Sequence, residues 1–286
     1  MNKSKEKIDI DLYKDLRIDC RKCFGFCCVA LYFSAFEGFP SDKEAGKPCL
    51  NLNEDFSCKI HNNLRSKGLK GCTSYDCFGA GQKVAQTTYK GSSWRDNPES
   101  AKKMFDTFLV VKQLHEMQWY LTDALNRSCD KDIKTKISTL INETKEMTLL
   151  GQDALRSLDL ELHRDRVNIL LKKTSKEVRS NCLKGRENTL KQKRRVAGRL
   201  DLIGADLKKI NLRGADLSGA LLMAADLRNT ELSCTDLIGA DLRDADLRGA
   251  DLADSIYITQ AQINTAKGDL STKLPVHIIS PSYWEK

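Results

Sequence analysis

Leucine recurs at every fifth position through eleven consecutive pentapeptides between residues 200 and 254. A period of five matches neither the α-helix, at about 3.6 residues per turn, nor the β-strand, at about two. The chain must therefore turn a corner every five residues and place one leucine inward on each side. Four sides make a square coil of twenty residues, so that Leu202, Leu222 and Leu242 stack. The period predicts a solenoid whose core leucines are Leu202, Leu207, Leu212, Leu217, Leu222, Leu227, Leu232, Leu237, Leu242, Leu247 and Leu252.

The other positions of each pentapeptide indicate what surrounds the leucines. The residue two before leucine is mostly alanine, which suits a second inward position in a narrow coil, and the aspartate that follows it is expected to face water. The pentapeptide "ALLMA" is an exception, because Leu221 stands where aspartate is usual and Met223 follows. Both side chains are expected to point outward. They are covered by the neighbouring helical region or form an interaction patch for a partner.

The A-D-L-x-x pattern of residues 200–254 resembles the pentapeptide-repeat family. The resemblance implies a right-handed quadrilateral β-helix over 200–257 and a C-terminal cap and tail over 258–286, where Thr259 and Gln262 match a capping box for a short helix. Family association also implies a role in resistance to an antimicrobial or a toxin. DNA mimicry is disfavoured, because under three coils rise only about 14 Å, whereas one turn of B-DNA rises about 34 Å.

Eight of the eleven cysteines lie within residues 20–77, beginning with "CRKCFGFCC". A C-x2-C turn brings two thiolates to one metal ion, and eight thiols suffice for two four-ligand centres, or for one centre with additional structural or reactive cysteines. A disulfide scaffold and free buried thiols are the alternatives. His61, in "CKIH", is a possible further ligand. The candidate ligands are Cys20, Cys23, Cys27, Cys28, Cys49, Cys58, Cys72 and Cys77.

The order of these cysteines, with "PCLNLNEDFSCKIH" and the closing pair "CTSYDC", resembles the zinc- or iron-chelating family named for its CxxCxxCC signature. The match covers residues 18–80, and here three residues instead of two separate Cys23 from Cys27. The resemblance implies a zinc or iron cofactor, an Fe–S cluster included. Thiolates suit either metal, so the spacing does not choose between them.

The N-terminus is charged and lacks an apolar h-region, and no apolar run approaches the length of a membrane span. The sequence therefore predicts a cytoplasmic protein without membrane association. The net charge of +8 is uneven: residues 200–254 hold 11 acidic and 6 basic residues, which leaves 41 basic and 28 acidic residues elsewhere. The basic segment 184–199, with Arg194 and Arg195, is expected to form a solvated helix or, as the alternative, to bind nucleic acid.

Helical spacing of apolar residues predicts three helical segments in the middle of the chain. The first begins at Asn97 and Pro98, the second runs through Ile133–Met147, and the third covers 153–183. The predicted fold class is multidomain α+β. Its parts are a cysteine-rich metal-binding domain (1–95), a helical connector (96–199), the pentapeptide-repeat β-helix (200–257) and the cap and tail (258–286).

Three functions from different classes follow from these features. The leading hypothesis is a non-catalytic, metal-binding scaffold that acts through its repeat surface on an unknown protein partner, since no recognised catalytic motif is present. The second is an Fe–S or reactive-thiol protein that senses or transfers electrons, or an enzyme of that kind. The third is a nucleic-acid-binding protein.

Overall fold

The computed structural model describes residues 9–185, 190, 194–208 and 210–285. The chain divides into two compact units. The cysteine unit comprises Asp11–Thr122 and Thr135–Ile169, and it contains all eight clustered cysteines. The repeat unit comprises Met1–Ile10, Asp123–Lys134 and Leu170–Lys286. The four-part division made from the sequence stays a prediction.

Helices and turns account for most of the regular structure. The α-helices are α1 (Phe26–Ala30), α2 (Lys70–Thr73), α3 (Ala80–Lys83), α4 (Ala101–Arg127), α5 (Lys131–Met147), α6 (Gln152–Arg156), α7 (Leu160–Leu183) and α8 (Gln260–Thr265). A π-helical turn, Val84–Thr88, directly follows α3. The 3-10 turns are Asp11–Leu16, Cys20–Lys22, Ala35–Glu37, His61–Asn63, Pro98–Ser100 and Ser282–Glu285.

Helix α4 supplies much of the core of the cysteine unit. Its buried side chains recur three or four residues apart, so they share one face of the helix. Phe108 on this face stacks on Phe26, with ring centroids 5.3 Å apart, and Trp119 lies edge-on to Tyr13 at 4.7 Å. The core of the unit therefore joins one long helix to the cysteine-rich segment.

The third predicted helical segment is two helices instead of one. Helix α6 ends at Arg156 and α7 starts at Leu160. The carboxylate of Asp159 accepts a hydrogen bond from the amide of Leu162 at 3.0 Å, which is the contact of an N-terminal cap. Asp159 therefore starts a new helix where apolar spacing alone suggested continuity.

Residues 200–254, the repeat segment, place positions twenty apart side by side. Isolated parallel bridges join Asp206 to Asp226 and Asp226 to Asp246. The amide of Leu207 donates to the carbonyl of Asp226 at 2.9 Å, and that of Leu227 donates to Asp246 at the same distance. All eleven repeat leucines are 4% exposed or less. The pentapeptide period thus produces a regular apolar stack.

The second inward position is equally regular. Alanines such as Ala225 and Ala245 are fully buried there. Where threonine replaces alanine, the hydroxyl finds a partner inside the stack: Thr230 donates to Leu207 O at 3.2 Å and Thr235 to Leu212 O at 2.7 Å. A buried hydroxyl without such a partner would destabilise the stack.

The predicted capping box and short helix are confirmed. Thr259 and Gln262 form a capping box at the start of α8, and the Gln262 side chain donates to the carbonyls of Leu237 and Ala240 at 2.8 and 2.9 Å. The same glutamine therefore caps the helix and satisfies backbone groups at the end of the repeat segment.

Two predictions about this region are wrong. The described part of segment 184–199 contains no solvated helix, because Arg195–Val196 (β1) pairs antiparallel with Arg199–Leu200 (β2). Ala197 and Gly198 both have positive φ, at 48° and 78°, which permits a two-residue hairpin turn. Residues 186–189 and 191–193 of the segment lie outside the described residues. Secondly, Asp236 does not face water but is buried.

No helix in the described ranges is long and apolar enough to cross a membrane.

Candidate metal centre

The eight cysteines sit on short elements of the cysteine unit. Cys20 begins the 3-10 turn Cys20–Lys22, and Cys27 and Cys28 lie in α1. Cys58 pairs with Leu52 in an antiparallel bridge, and Cys72 lies in α2. Cys20 is exposed, whereas the other seven thiols are partly buried. All eight are free thiols.

Two turns of identical sequence, Cys-Phe-Gly, carry Cys23 and Cys77. Gly25 and Gly79 adopt left-handed φ values of 65° and 77°. In both turns, backbone amides that follow the cysteine point at its sulfur: those of Gly25 and Phe26 at Cys23, and those of Gly79 and Gly81 at Cys77. N–H donors of this kind stabilise a thiolate.

Burial acts on the pKa of these thiols in the opposite direction to the amide donors. It raises the pKa of Cys23 to about 12, and the neighbouring Cys77 and Cys20 thiolates add to the rise. Burial likewise raises the pKa of Cys77 to about 11, with further contributions from the charges of Asp76 and Cys20. Cys20, Cys23 and Cys77 therefore interact with one another, and we call them the first thiol group.

Helix α3 and the π-helical turn hold the first thiol group. Gln82 accepts from the amide of Asp19 at 2.8 Å and donates to Arg17 O at 2.7 Å, while Gln86 donates to Lys22 O at 2.9 Å. Gly81 lies against Cys23, since a Cβ added at this glycine would be 2.5 Å from the sulfur. A glycine here allows the thiol to lie directly on the helix backbone.

A second thiol group comprises Cys28, Cys49, Cys58 and Cys72. The amide of Cys49 donates to Cys28 O at 2.9 Å. Hydrogen bonding with Cys27 raises the pKa of Cys28, and hydrogen bonding with Cys28 raises that of Cys58. Burial raises the pKa of Cys72 to about 12, and the Cys49 and Cys58 thiolates act in the same direction.

Cys27 lies between the two groups. Its sulfur is 4.0 Å from that of Cys28. The hydroxyl of Tyr75 is buried, and desolvation followed by the charges of Cys77, Cys27, Asp76 and Cys23 raises its pKa. Cys27 therefore shares a neighbour with the first thiol group while touching the second.

The buried Lys43 was missed by sequence reasoning. Its ammonium group donates to Val29 O at 2.8 Å and to Leu31 O at 2.5 Å. Burial lowers its pKa, and the thiolates of Cys28, Cys49, Cys27 and Cys72 act in the opposite direction. Lys43 is a fixed positive charge beside the second thiol group. No pattern in the sequence distinguishes it from an ordinary surface lysine.

The donor chemistry suits a thiophilic metal ion, because sulfur ligands predominate in both groups. The thiols nevertheless interact in pairs and chains: among the described residues, no three His, Cys, Asp or Glu side chains are grouped so that they could hold a metal ion. His61 is exposed and begins its own 3-10 turn. Metal binding by these residues, His61 included, stays a prediction.

The predicted surface residues of the repeat segment and of segment 184–199 make local contacts. Leu221 and Met223 are half-buried, and the Met223 sulfur accepts from Arg243 at 3.1 Å. Arg194 pairs with Asp201 at 3.0 Å, and Arg195 donates to Gly198 O at 2.8 Å. An interaction patch at Leu221 and Met223 and a nucleic-acid site at the two arginines stay predictions.

A disulfide between Cys182 and Cys234 was also missed by sequence reasoning. Cys182 lies near the end of α7, and Cys234 ends the pentapeptide "TELSC". Their Cα atoms are 6.3 Å apart, across a sequence separation of 52 residues. A cysteine at the last position of one pentapeptide, where glycine is frequent, was the signal available in the sequence.

The family model for pentapeptide repeats matches residues 199–222 and 220–256, with eight copies. The fold of this region and the match together define a pentapeptide-repeat protein. The chain is also 50% identical over 275 residues to the protein YybG of Bacillus subtilis (strain 168), covering 96% of this chain and 97% of that relative. The chain therefore belongs to the family of this Bacillus protein.

A second relative matches a shorter part of the chain. A UPF0153 protein of Vibrio cholerae serotype O1 is 43% identical over 44 residues, which are 15% of this chain and 54% of the relative. No solved structure matches the chain significantly.

Proposed function

We propose that the protein is a non-catalytic metal-binding interaction protein. The cysteine unit holds zinc or iron through its thiolates, and residues 200–257 form a right-handed quadrilateral β-helix that presents a docking surface to a protein partner. A role in resistance to an antimicrobial or toxin is part of the proposal by family association alone.

The pair of Cys-Phe-Gly turns is the observation that carries the metal-binding proposal. Each turn aims two backbone amides at one sulfur, although burial raises the pKa of both thiols far above neutrality. Amides directed at a buried sulfur have little value for a neutral thiol, which is a weak acceptor. They favour the thiolate, and a bound metal ion supplies the positive charge that keeps a buried thiolate ionised.

The proposal divides the eight thiols into two centres of four ligands each. Cys27 would join Cys20, Cys23 and Cys77 in the first centre, since it shares Tyr75 as a neighbour with two of them. Cys28, Cys49, Cys58 and Cys72 would form the second, with Lys43 offsetting part of its negative charge. Adjacent cysteines project in different directions, so Cys27 and Cys28 need not share a metal ion.

Several observations support the β-helix. Parallel bridges join positions twenty apart, the eleven leucines are buried, and the corners after them recur with positive φ. On its surface, Ile203 and Met223 are twenty positions apart, and Leu221 lies two residues before Met223. These apolar side chains are the proposed docking patch.

The decisive experiment is a determination of metal and acid-labile sulfide in protein purified without oxygen, together with its visible spectrum. The proposal predicts about two zinc or mononuclear iron ions per chain, or about four to eight irons with matching sulfide if both centres are Fe–S clusters. Cys23→Ser and Cys72→Ser should each remove about half of the bound metal, because they belong to different groups. Cys129→Ser, at an exposed free cysteine of the repeat unit, is the matched control and should remove none. Metal-free protein, or equal content in all three variants, would refute the proposal.

A redox or sensor function is the second candidate, and the exposure of Cys20 favours it. A thiolate-bound cluster with one exposed ligand can exchange electrons with a partner. Iron with sulfide would move this function ahead of the scaffold, whereas colourless zinc protein would leave the cysteine unit a structural support. Nucleic-acid binding would instead require an association that weakens steeply with salt and depends on Arg194 and Arg195.

A further inference from the structure

One face of α7 is fixed to the repeat segment by three contacts at successive turns. Ser175 donates to the buried carboxylate of Asp236 at 2.5 Å, and Arg179 pairs with Asp216 at 3.0 Å. Cys182, three residues later, forms the disulfide to Cys234. Positions 175, 179 and 182 share a helix face, since they follow the i, i+4, i+7 spacing. The disulfide is therefore the last contact before the helix ends.

Cys234 has a backbone conformation that its side chain does not favour. Its φ is +58°, in the left-handed region, at the corner two residues after Leu232. Glycine occupies the same corner at residues 204, 214, 219, 239 and 249. Ala224, Asn229 and Asp244 also take this corner with positive φ, so the conformation alone does not single out Cys234. What distinguishes Cys234 is that its side chain, which is only partly buried, is bonded to Cys182 of α7.

We infer that Cys182 and Cys234 form a reversible thiol–disulfide clasp, which holds the last turns of α7 on the repeat segment when oxidised and releases them when reduced. The oxidant is a small disulfide such as oxidised glutathione. One protein thiolate attacks it, forming a mixed disulfide and releasing one small thiol. The second protein thiolate then attacks the mixed disulfide and releases the other small thiol. Overall, one S–S bond breaks and one forms, and two electrons and two protons pass to the small disulfide.

The contacts that remain after reduction are weak towards the end of the helix. Asp216 is half exposed, so its ion pair with Arg179 is screened by solvent. Beyond it, Leu183 packs on Gly214, and Arg213 reaches Cys182 O at 3.5 Å. The buried Ser175–Asp236 hydrogen bond lies two turns earlier. Reduction should therefore open the last two turns of α7 without unfolding the repeat segment.

The clasp is separate from the proposed metal ligands. Cys182 and Cys234 belong to the repeat unit, whereas the eight clustered cysteines belong to the cysteine unit. The metal determination can therefore contradict the proposed function without affecting the disulfide experiment, and the reverse also holds.

The test equilibrates the full chain in glutathione buffers from fully reduced to fully oxidised, traps free thiols by alkylation, and quantifies the Cys182–Cys234 peptide by mass spectrometry. Hydrogen exchange of residues 176–185 is measured on the same samples. We expect one midpoint for the disulfide and for protection of this segment, and a melting temperature roughly 5 to 10 °C lower after reduction. Exchange of residues 240–250 should not change.

Variants keep the test decisive. Cys182→Ser and Cys234→Ser should both show the reduced-state exchange in every buffer, whereas Cys129→Ser should behave as the parent protein. Cys234→Gly relieves the backbone and removes the thiol, so it serves if Cys234→Ser folds poorly. Alkylation of both thiols in every buffer would overturn the inference. So would a disulfide whose reduction leaves exchange of residues 176–185 unchanged, since the bond would then be a static cross-link.

Discussion

The repeat segment and the cysteine-rich segment are built on opposite principles. In the repeat segment, one leucine per pentapeptide is buried in the same way eleven times, and the backbone hydrogen bonds repeat with it. The cysteine-rich segment has helices of only four or five residues, and side chains such as Gln82, Gln86 and Trp94 hold its backbone in place. One region distributes its stability over equivalent layers, whereas the other concentrates it in individual contacts.

The two regions are therefore vulnerable to different substitutions. A solenoid tolerates changes on its surface but not in its stack, because each layer is buried only by its neighbours. A small irregular segment depends on polar contacts that are each made once, and such segments commonly need cross-links or metal ions in addition to a core. Substitutions at Leu227, His115, Gly81 and Arg228 test this contrast, in order of decreasing change in stability.

Leu227→Lys should produce the largest loss of stability. Leu227 is 1% exposed between Leu207 and Leu247, and a lysine there would leave an unpaired charge in an apolar stack. We expect the free energy of unfolding to fall by about 4 kcal/mol or more, measured by urea unfolding. Ile203→Lys introduces the same charge at a half-exposed position of the repeat segment and should change it by less than about 0.5 kcal/mol. Equal stability of the two variants would show that the stack is not the source of stability.

His115 should give the cysteine unit a pH dependence. His115 lies on α4, and its buried imidazole forms a hydrogen bond with Phe78 O at 2.7 Å. Burial lowers its pKa from 6.5 to about 4, the Phe78 carbonyl and Asp15 favour the charged form, and Lys83 opposes it. The unfolded chain therefore binds a proton between pH 6.5 and 4 that the folded chain does not. This group's contribution is intact above pH 6.5 and falls as the pH drops towards 4, by about 3 kcal/mol.

The measurement compares denaturant unfolding of the parent protein and His115→Gln from pH 7 to pH 4. The glutamine can donate to the same carbonyl but does not titrate. The difference between the two profiles removes groups common to both proteins, and it should grow as the pH falls in favour of the variant. A constant difference across this range would mean that His115 is protonated equally in both states.

The leucine period and the structure agree closely because each repeat leucine is buried among residues that recur at a fixed spacing in the sequence. The capping box at Thr259 and Gln262 was predictable for the same reason, since both partners lie within one helical turn. Lys43 could not be predicted, because its position depends on carbonyls twelve and fourteen residues away in an irregular loop. The Cys182–Cys234 disulfide joins elements 52 residues apart, and Asp236 is buried by Ser175 of α7. No local pattern contains these contacts.

Gly81→Ala adds one methyl group and tests whether the cysteine-rich segment depends on contacts that are each made only once. The new Cβ would lie 2.5 Å from the Cys23 sulfur, so the thiol or helix α3 must move. We expect a loss of about 2 kcal/mol in stability and, under the proposed function, about one equivalent of bound metal. Gly204→Ala is the matched substitution in the repeat segment. Its Cβ meets nothing within 4 Å, and Ala224 already occupies the equivalent corner at φ 56°. A loss of at most about 1 kcal/mol, due to its positive φ, is expected there.

Arg228→Met should have the smallest effect on stability and a clear effect on a neighbouring pKa. Arg228 donates to the Asp226 carboxylate through Nε and Nη2, at 2.9 and 2.8 Å, and lies 3.7 Å from Asp246. The hydrogen bonds from Arg228 hold the pKa of Asp226 well below its usual range, and Lys208 contributes to the same shift. Both partners are solvated, so salt and water screen the pair.

We expect a change in melting temperature close to the reproducibility of the measurement, whereas carboxyl titration by NMR should show the pKa of Asp226 moving up towards its usual value. The low pKa places any loss of this pair's contribution at acidic pH, below the usual range of an aspartate. A large loss of stability at neutral pH would instead mean that surface ion pairs such as Arg228–Asp226, and not the leucine stack alone, stabilise the repeat segment.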